Sequence, residues 1–388
     1  MTLDLDRSQW QRVKFGDVAV RVAESGLPTG DESRMYVGLE HMPTDGSLTI
    51  RSWGSEVDIV VPKTRVKAGD VLFARRNTHL RRVSVAPHDG YYSPDGYAFR
   101  PATAAILMEF LPWVVASQGF MTFAIQHSAG THSKRVKWSE LAKYEFDLPP
   151  PDQQRRIAEL LWSVERSQQS SFLLALSFDA VSRASIAETL TGGKLEARLV
   201  ALSDLCDPDR PITYGIVQAG PNVPDGVPYI RVSDMTQGQL SQEGMLRTSR
   251  AIAEKYKRST VESGDLVVAL RGSPGLTLEL PTELDGANLT QGTARIAILE
   301  HLIPREYILR IMNSPWMAAQ IARVAKGSTF KELSLAALRN LQIPVPTPDA
   351  VGLLVENLAQ VDDGKTSVER EVRSCSALRD RILSEVFQ

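Results

Sequence analysis

Val66-Lys-Ala-Gly-Asp-Val-Leu-Phe-Ala-Arg-Arg76 returns 195 positions later as Val261-Glu-Ser-Gly-Asp-Leu-Val-Val-Ala-Leu-Arg271, with glycine, aspartate, alanine and the final arginine in register. A Gly-Asp turn ahead of an apolar run reads as the opening of a β-strand. Toward the N-terminus, Tyr36-Val-Gly-Leu-Glu-His-Met42 answers Tyr229-Ile-Arg-Val-Ser-Asp-Met235. Toward the C-terminus, Gly130, Lys134, Leu141, Phe146, Pro149, Pro151 and Asp152 fall 197 positions before Gly327, Lys331, Leu338, Ile343, Pro346, Pro348 and Asp349. Three blocks in the same order imply a duplicated domain. A repeat of this length lies far beyond the roughly 20 to 50 residues of solenoid units. Two similar surfaces in one chain suit a long partner read in two places.

Composition bounds the class. At 388 residues, 43% hydrophobic and 23% charged, the chain is globular and long enough for two domains with connectors. Met-Thr-Leu-Asp-Leu-Asp at the N-terminus lacks the basic region and apolar run of a signal peptide. The longest apolar stretch, Ile106 to Ala116, contains Glu109 and Pro112 and is too short to span a bilayer. Cys206 and Cys375 have no metal-ligand spacing, so the expectation is a reducing cytoplasm and no metal site. A net charge of −2 argues against a free-standing nucleic-acid binder, which carries a basic excess. Any DNA contact must rest on local basic patches or on partner subunits.

The chain divides into four pieces, 1–150, 151–193, 194–347 and 348–388. The first mixes β-rich runs (Tyr36 to Leu39, Val57 to Val61, Asp70 to Ala74) with Gly/Pro/Asp turns and a helix around Trp113 to His127. After Leu148-Pro-Pro-Pro-Asp152, apolar residues from Ile157 to Leu190 recur mostly at three- and four-residue steps without glycine or proline. That is a long amphipathic helix, closed by Thr191-Gly-Gly193. The third piece repeats the mixed domain. Pro346-Thr-Pro-Asp349 then opens a second helical run through Leu353, Leu358, Val372 and Ile382, with an interruption expected at Gly364. The fold class is α/β (α+β). Each helix, at about 40 residues, would extend on the order of 60 Å. The expected arrangement is an antiparallel pair acting as a spacer between the domains. The alternative is that each helix folds back onto its own domain.

This order, with Leu148-Pro-Pro-Pro-Asp-Gln-Gln-Arg-Arg-Ile-Ala-Glu-Leu-Leu161 after the first domain and Ile343-Pro-Val-Pro-Thr-Pro-Asp349 after the second, closely resembles the specificity subunit of type I restriction-modification systems. The resemblance covers essentially the whole chain. It implies two target recognition domains related by a pseudo-two-fold, each reading one half of a bipartite site in double-stranded DNA. It also implies a coiled-coil spacer that docks two modification (methyltransferase) subunits, with restriction/translocase subunits as further partners. S-adenosylmethionine, ATP and Mg would belong to those partners and no cofactor to this chain. Ile212-Thr-Tyr-Gly-Ile-Val-Gln218 is similar to a stretch common early in such recognition domains, and the region from Val20 to Asp31 lacks it.

Recognition needs donors that reach phosphates and base edges from loops on a stiff scaffold. The first domain offers Arg75, Arg76, Asn77, Arg81 and Arg82 after the repeated strand, then Lys134, Arg135 and Lys137 beside His132. The second offers Tyr214, Gln218, Arg247, Arg250, Lys255, Lys257, Arg258, Arg271, Lys326 and Lys331. Arginine pairs with guanine O6 and N7, and asparagine or glutamine with adenine. Arg76, Asn77, Gln218 and Arg271 are therefore the base-reading candidates, and the lysines are phosphate clamps. For any single one of these residues an ordinary solvated surface charge is the commoner reading, by roughly two to one; recurrence after the same motif raises the group. Tyr91, Tyr92 and Tyr97 would stack on a distorted base or pack in the core.

Catalytic signatures fail. Gly364-Lys365-Thr366 lacks the first glycine of a phosphate loop, because Ala359 stands there. Asp349, Asp363 and Lys365 nominally fit a Mg-dependent nuclease pattern, but the residues between them read as helix. No HExxH pair, Gly-x-Ser-x-Gly elbow or Asn/Asp-Pro-Pro-aromatic methyltransferase motif is present. The expectation is a non-catalytic reader. Its alternatives are a specificity chain of a methylation-only or other phage-defence system, and that nuclease.

Overall fold

The computed structural model describes residues 5–54, 59–131, 133–191, 197–236, 238–325 and 331–387. They divide into two compact units, Met1–Ala175 with Thr366–Gln388, and Leu176–Lys365, each holding one copy of the repeat.

In both units the strand after the Gly-Asp turn lies inside a four-stranded antiparallel sheet. Val71–Ala74 is flanked by Gly96–Pro101 and Val83–Val85, with Ala19–Arg21 beyond Gly96–Pro101. Leu266–Ala269 is flanked in the same way by Thr293–Ile296 and Thr277–Glu279, with Thr213–Tyr214 beyond Thr293–Ile296. The turn requires both of its repeated residues. Gly69 and Gly264 sit at φ +91° and +87°, where a side chain would be strained. Asp70 Oδ2 accepts from the Lys67 N–H and Asp265 Oδ2 from the Glu262 N–H, each at 2.7 Å. Both carboxylates are buried, and each meets a guanidinium at 2.6 Å: Arg100 Nε for Asp70, Arg210 Nη2 for Asp265.

The strand is apolar throughout because both its faces are covered, and alternate residues serve different cores. Val71 and Phe73 join Phe99, Trp113 and Phe120; Leu72 and Ala74 join Val37, Ile50 and Tyr92. Leu266 and Val268 divide from Val267 and Ala269 in the same way. The second core of each unit is shared with another sheet, four-stranded in the first unit and three-stranded in the second, built on the other repeated block. There Tyr36–Val37 runs parallel to Gly90–Tyr92, and Val227–Ile230 parallel to Asn288–Leu289. Gln11–Lys14 pairs with Glu145–Leu148, and Arg198–Ala201 with Gln342–Val345, tying the start of each domain to the residues before its Pro-rich stop.

The helix expected around Trp113 to His127 is two, Leu111–Ala116 and Gln118–Gln126, because Ser117 interrupts it and its Oγ accepts from the Phe120 N–H at 3.3 Å. Ser314 caps Pro315–Val324 likewise after Arg305–Met312. The expected strand at Val57 to Val61 does not form in its described part. Val57 and Asp58 lie outside the described residues, and Ile59 to Val61 are irregular, with Val60 80% exposed. Val60 and Val61 are exposed, and among the described residues no strand pairs with this segment, so its apolar run alone does not make a strand.

Pro151–Thr191 and Pro348–Val386 are each one helix. The expected interruption at Gly364 is absent. The Phe178 ring occupies the space where a side chain would stand, 2.6 Å from an added Cβ. Both helices contribute to both units. Ile157, Leu161, Ile382 and Val386 enter the larger core of the first, and Ile186, Val351, Leu354 and Leu358 that of the second. They also meet each other: Gln168 Nε2 donates to Ser376 Oγ at 3.2 Å in the first unit, and Lys365 Nζ to Asp179 Oδ1 at 2.7 Å in the second. Contacts step down one helix as they step up the other, as in an antiparallel pair. The helices therefore pack on their domains and on each other, and the two arrangements weighed from sequence are both present. Among the described residues no helix is long and apolar enough to cross a membrane.

Candidate nucleic-acid interface

The loop Arg75 to Arg82 joins Val71–Ala74 to Val83–Val85 and is closed by the Ala74 N–H on Arg82 O at 3.1 Å. Asn77 and Arg81, at φ 55° and 51°, flank its short turn Thr78–Leu80. Left-handed non-glycine residues are costly and concentrate where a loop must hold one shape. A distant segment docks beside this loop. Arg76 faces Arg135 in an antiparallel bridge, the Asn77 N–H donates to Lys134 O at 3.0 Å, and the Val136 N–H to Arg75 O at 3.0 Å. Arg75, Arg76 and Asn77 thus share one patch with Lys134, Arg135 and Lys137, of which the last three are exposed.

Asp95 organises this patch. Arg76 Nη1 reaches its Oδ2 at 3.0 Å and Arg135 Nη2 its Oδ1 at 2.9 Å. Burial disfavours the ionised form, but the hydrogen bonds from Arg76 and Arg135 prevail and hold the Asp95 carboxyl below its ordinary range. Ser133 Oγ accepts from Arg76 Nε at 2.6 Å. Arg75 lies over the Tyr97 ring, 5.2 Å from its centroid, and donates to Tyr97 OH at 3.2 Å. Arg81 donates to Gln118, and the Nε atoms of Arg75 and Arg82 are buried with no partner among the described residues. Tyr91, Tyr92 and Tyr97 are buried, so of the two roles weighed for them the structure selects core packing.

In the second domain Arg271 faces Glu332 across the matching bridge, and its Nη2 meets Glu332 Oε1 at 2.9 Å. Lys331 is exposed beside them; Lys326 lies outside the described residues, as does His132 of the first domain. The loop bearing Gln218 approaches Arg271 through a shared turn: the Gln291 N–H donates to Ile216 O at 3.0 Å and the Leu270 N–H to Gly292 O at 2.8 Å. Tyr214 is 40% exposed. Arg247 is tied by Nη1 to Gly226 O at 3.1 Å, and Lys257 to Glu254 at 3.2 Å, whereas Arg250, Lys255 and Arg258 are exposed. These sit on elements adjoining the Gln218 loop, where Thr248 Oγ1 donates to Ala219 O at 2.6 Å.

The structure adds Asp95, Ser133, Gln118 and Glu332, none of which the sequence singled out. Cationic side chains stand out in a sequence, whereas the acids, hydroxyl and amide that hold them are brought near only by the fold. One signal was available: Glu332 stands where the register of the repeat places Arg135. Among the described residues no group of three or more His, Cys, Asp or Glu could hold a metal ion. Asp349 and Asp363 lie on one helix about 21 Å apart at 1.5 Å per residue, and Lys365 is engaged by Asp179. The nuclease pattern therefore has no geometry to support it.

Residues 202–374 match the family model described as the type I restriction modification DNA specificity domain. A stretch of 191 residues is 28% identical to the type I restriction enzyme EcoBI specificity subunit of Escherichia coli, covering 48% of this chain and 40% of that subunit. The chain thus spans less than half the length of that relative. A chain from a structure of the type I restriction-modification system, concerned with complex assembly and conformational transition, superposes with TM-score 0.59 at 18% identity, covering 98% of this chain and 97% of that one. The S subunit of a type I system from M. genitalium gives TM-score 0.57 at 13% identity, covering 100% and 99%. These two likenesses are of fold.

Proposed function

We propose that this chain, which carries the DNA specificity domain of type I restriction-modification systems over residues 202–374, is a sequence-reading subunit whose two domains each contact one half of a bipartite DNA site. The observation that carries the reading is the duplication of an arginine-bearing loop. Arg76 and Arg271 follow the equivalent strand of the equivalent sheet in both units, each held by a carboxylate. A guanidinium held in this way is oriented before DNA arrives, and guanine O6 and N7 or a phosphate then compete for its donors. Asn77 and Gln218 suit adenine, and Lys134, Lys137 and Lys331 suit phosphates.

In this reading the two long helices fix the distance between the half-sites and dock two methyltransferase subunits in the cytoplasm, with a translocating nuclease as a further partner. S-adenosylmethionine would be bound by the methyltransferase subunits, and ATP with Mg by the motor. The test is to delete the gene in the organism that carries it and map modified bases by single-molecule sequencing. A bipartite modified motif should vanish. Persistence of every modified motif would overturn the proposal.

A further inference from the structure

The most buried acid on the long helices is turned onto a loop of the first domain. Glu165, on Pro151–Thr191, is 2% exposed. Its Oε1 accepts four hydrogen bonds from one loop of the first domain: Ser47 Oγ at 2.6 Å, the Leu48 N–H at 3.0 Å, the Thr49 N–H at 3.0 Å and Thr49 Oγ1 at 2.7 Å. Its Oε2 is buried with no partner among the described residues. Burial of a carboxylate is costly unless its oxygens are hydrogen-bonded, and here the four donors of one loop meet that cost at a single oxygen.

The loop it holds leads to the recognition patch. Leu48 O accepts from the Val85 N–H at 2.9 Å, and Val83–Val85 is the strand that leaves the Arg75 to Arg82 loop. Leu48 itself is buried in the core shared with both long helices. The second long helix grips the same loop, where Arg379 Nη2 donates to Asp45 O at 3.4 Å and Nη1 to Gln168 Oε1 at 3.3 Å. Arg51, at the end of the loop, stacks on Phe172 of the first helix, 4.0 Å from the ring centroid. The register recurs in the second unit. Asp362, 197 positions after Glu165, fastens its helix to Arg310 on Arg305–Met312.

We infer that Glu165 is a positioning residue that fixes the pose of the first recognition domain on the spacer helix, and through it the gap between the two half-sites; this rests on the DNA-reading proposal above. Two N–H and two O–H donors converging on one side-chain oxygen make a stiff joint, since each bond's geometry limits the movement the others allow. Removing it leaves Leu48 packed but its loop free to shift against the helix. A neighbouring gap asks of the domain one base-pair step, about 3.4 Å along DNA together with about 35° of rotation about it, and a loop released from the helix has to allow both.

The experiment uses the full chain in the organism that carries it, with Glu165→Ala and Glu165→Gln placed at the chromosomal locus, abundance followed by immunoblot and modified bases mapped. Glu165→Ala should keep both half-site sequences and modify, beside the parental sites, sites whose gap differs by one base pair. Glu165→Gln, which keeps the accepting oxygen, should restore the parental gap alone. A purely structural role would lower modification at an unchanged gap, and an unchanged gap in Glu165→Ala overturns the inference. Should that chain not accumulate, Thr49→Val, which removes one donor of the four, takes its place: a broadened gap supports the inference and a single gap overturns it. Deletion of the gene separates the two proposals, because a bipartite motif that survives deletion defeats the DNA-reading proposal itself.

Discussion

Arg271 and Glu332 face each other across an antiparallel bridge and join side chains at 2.9 Å, at the place where the first domain sets two arginines, Arg76 and Arg135, around Asp95. The two copies thus share the scaffold and the first arginine, while the acid stands at the facing bridge position in the second and in the adjacent turn in the first. The two patches differ in charge, which suits the proposal that they contact different half-sites.

Replacement of Arg76 by alanine should weaken one half-site only, and replacement of Arg271 the other. Each loss should be about 1–3 kcal/mol if the contact is a two-pronged one to a base, and spread evenly over all sequences if it is to phosphate. Binding of the assembled complex to DNA mutated in one half-site at a time measures this. Equal decline at both half-sites in either variant would refute the division of labour.

Asp95 gives a pH signature. Its folded-state pKa is depressed, so its pairing contributes stability above the unfolded carboxylate value near about 3.9 and loses it as pH falls through the lower folded value. Thermal melts of Asp95→Asn should lie below those of the parent at neutral pH, and the difference should close as pH falls toward about 3. A difference that widens in acid would contradict the assignment.

Gly364 and Phe178 should be coupled. An alanine Cβ would stand 2.6 Å from the Phe178 ring, and overpacking of that kind costs about 1–3 kcal/mol. Gly364→Ala should therefore be less favourable by about that amount in the parent than in Phe178→Ala, where the helix-propensity gain of about 1 kcal/mol appears unopposed. Denaturant unfolding of the four chains completes the cycle, and additivity would show that the ring does not need the glycine.

The isolated chain, at net charge −2, should bind DNA weakly and with little preference. A complex with the methyltransferase subunits proposed above should bind tightly, with a steep loss of affinity as salt rises, because such partners would add phosphate contacts and each contact releases counterions. Titrations of both against salt compare the slopes. Tight, site-specific binding by the chain alone would be inconsistent with this account.

The sequence by itself determined the duplication, the Gly-Asp turn and its buried strand, and the two long helices. Each of these is a local or periodic property: glycine at positive φ, alternation between two cores, and apolar steps of three and four uninterrupted by proline. It also brought out Arg76 and Arg271, because they close a repeated block. What only the tertiary structure decided depends on residues far apart in the chain. Asp95 and Ser133 approach Arg76 only when strands pair. Ile59 to Val61 look like a strand and are not one, because among the described residues no strand pairs with them and Val60 and Val61 stay exposed. Gly364 looks like a break and is not one, because Phe178 from the other helix fills its space. Glu165 looks like any acid on a helix, and only the arrival of Ser47, Leu48 and Thr49 makes it a buried joint.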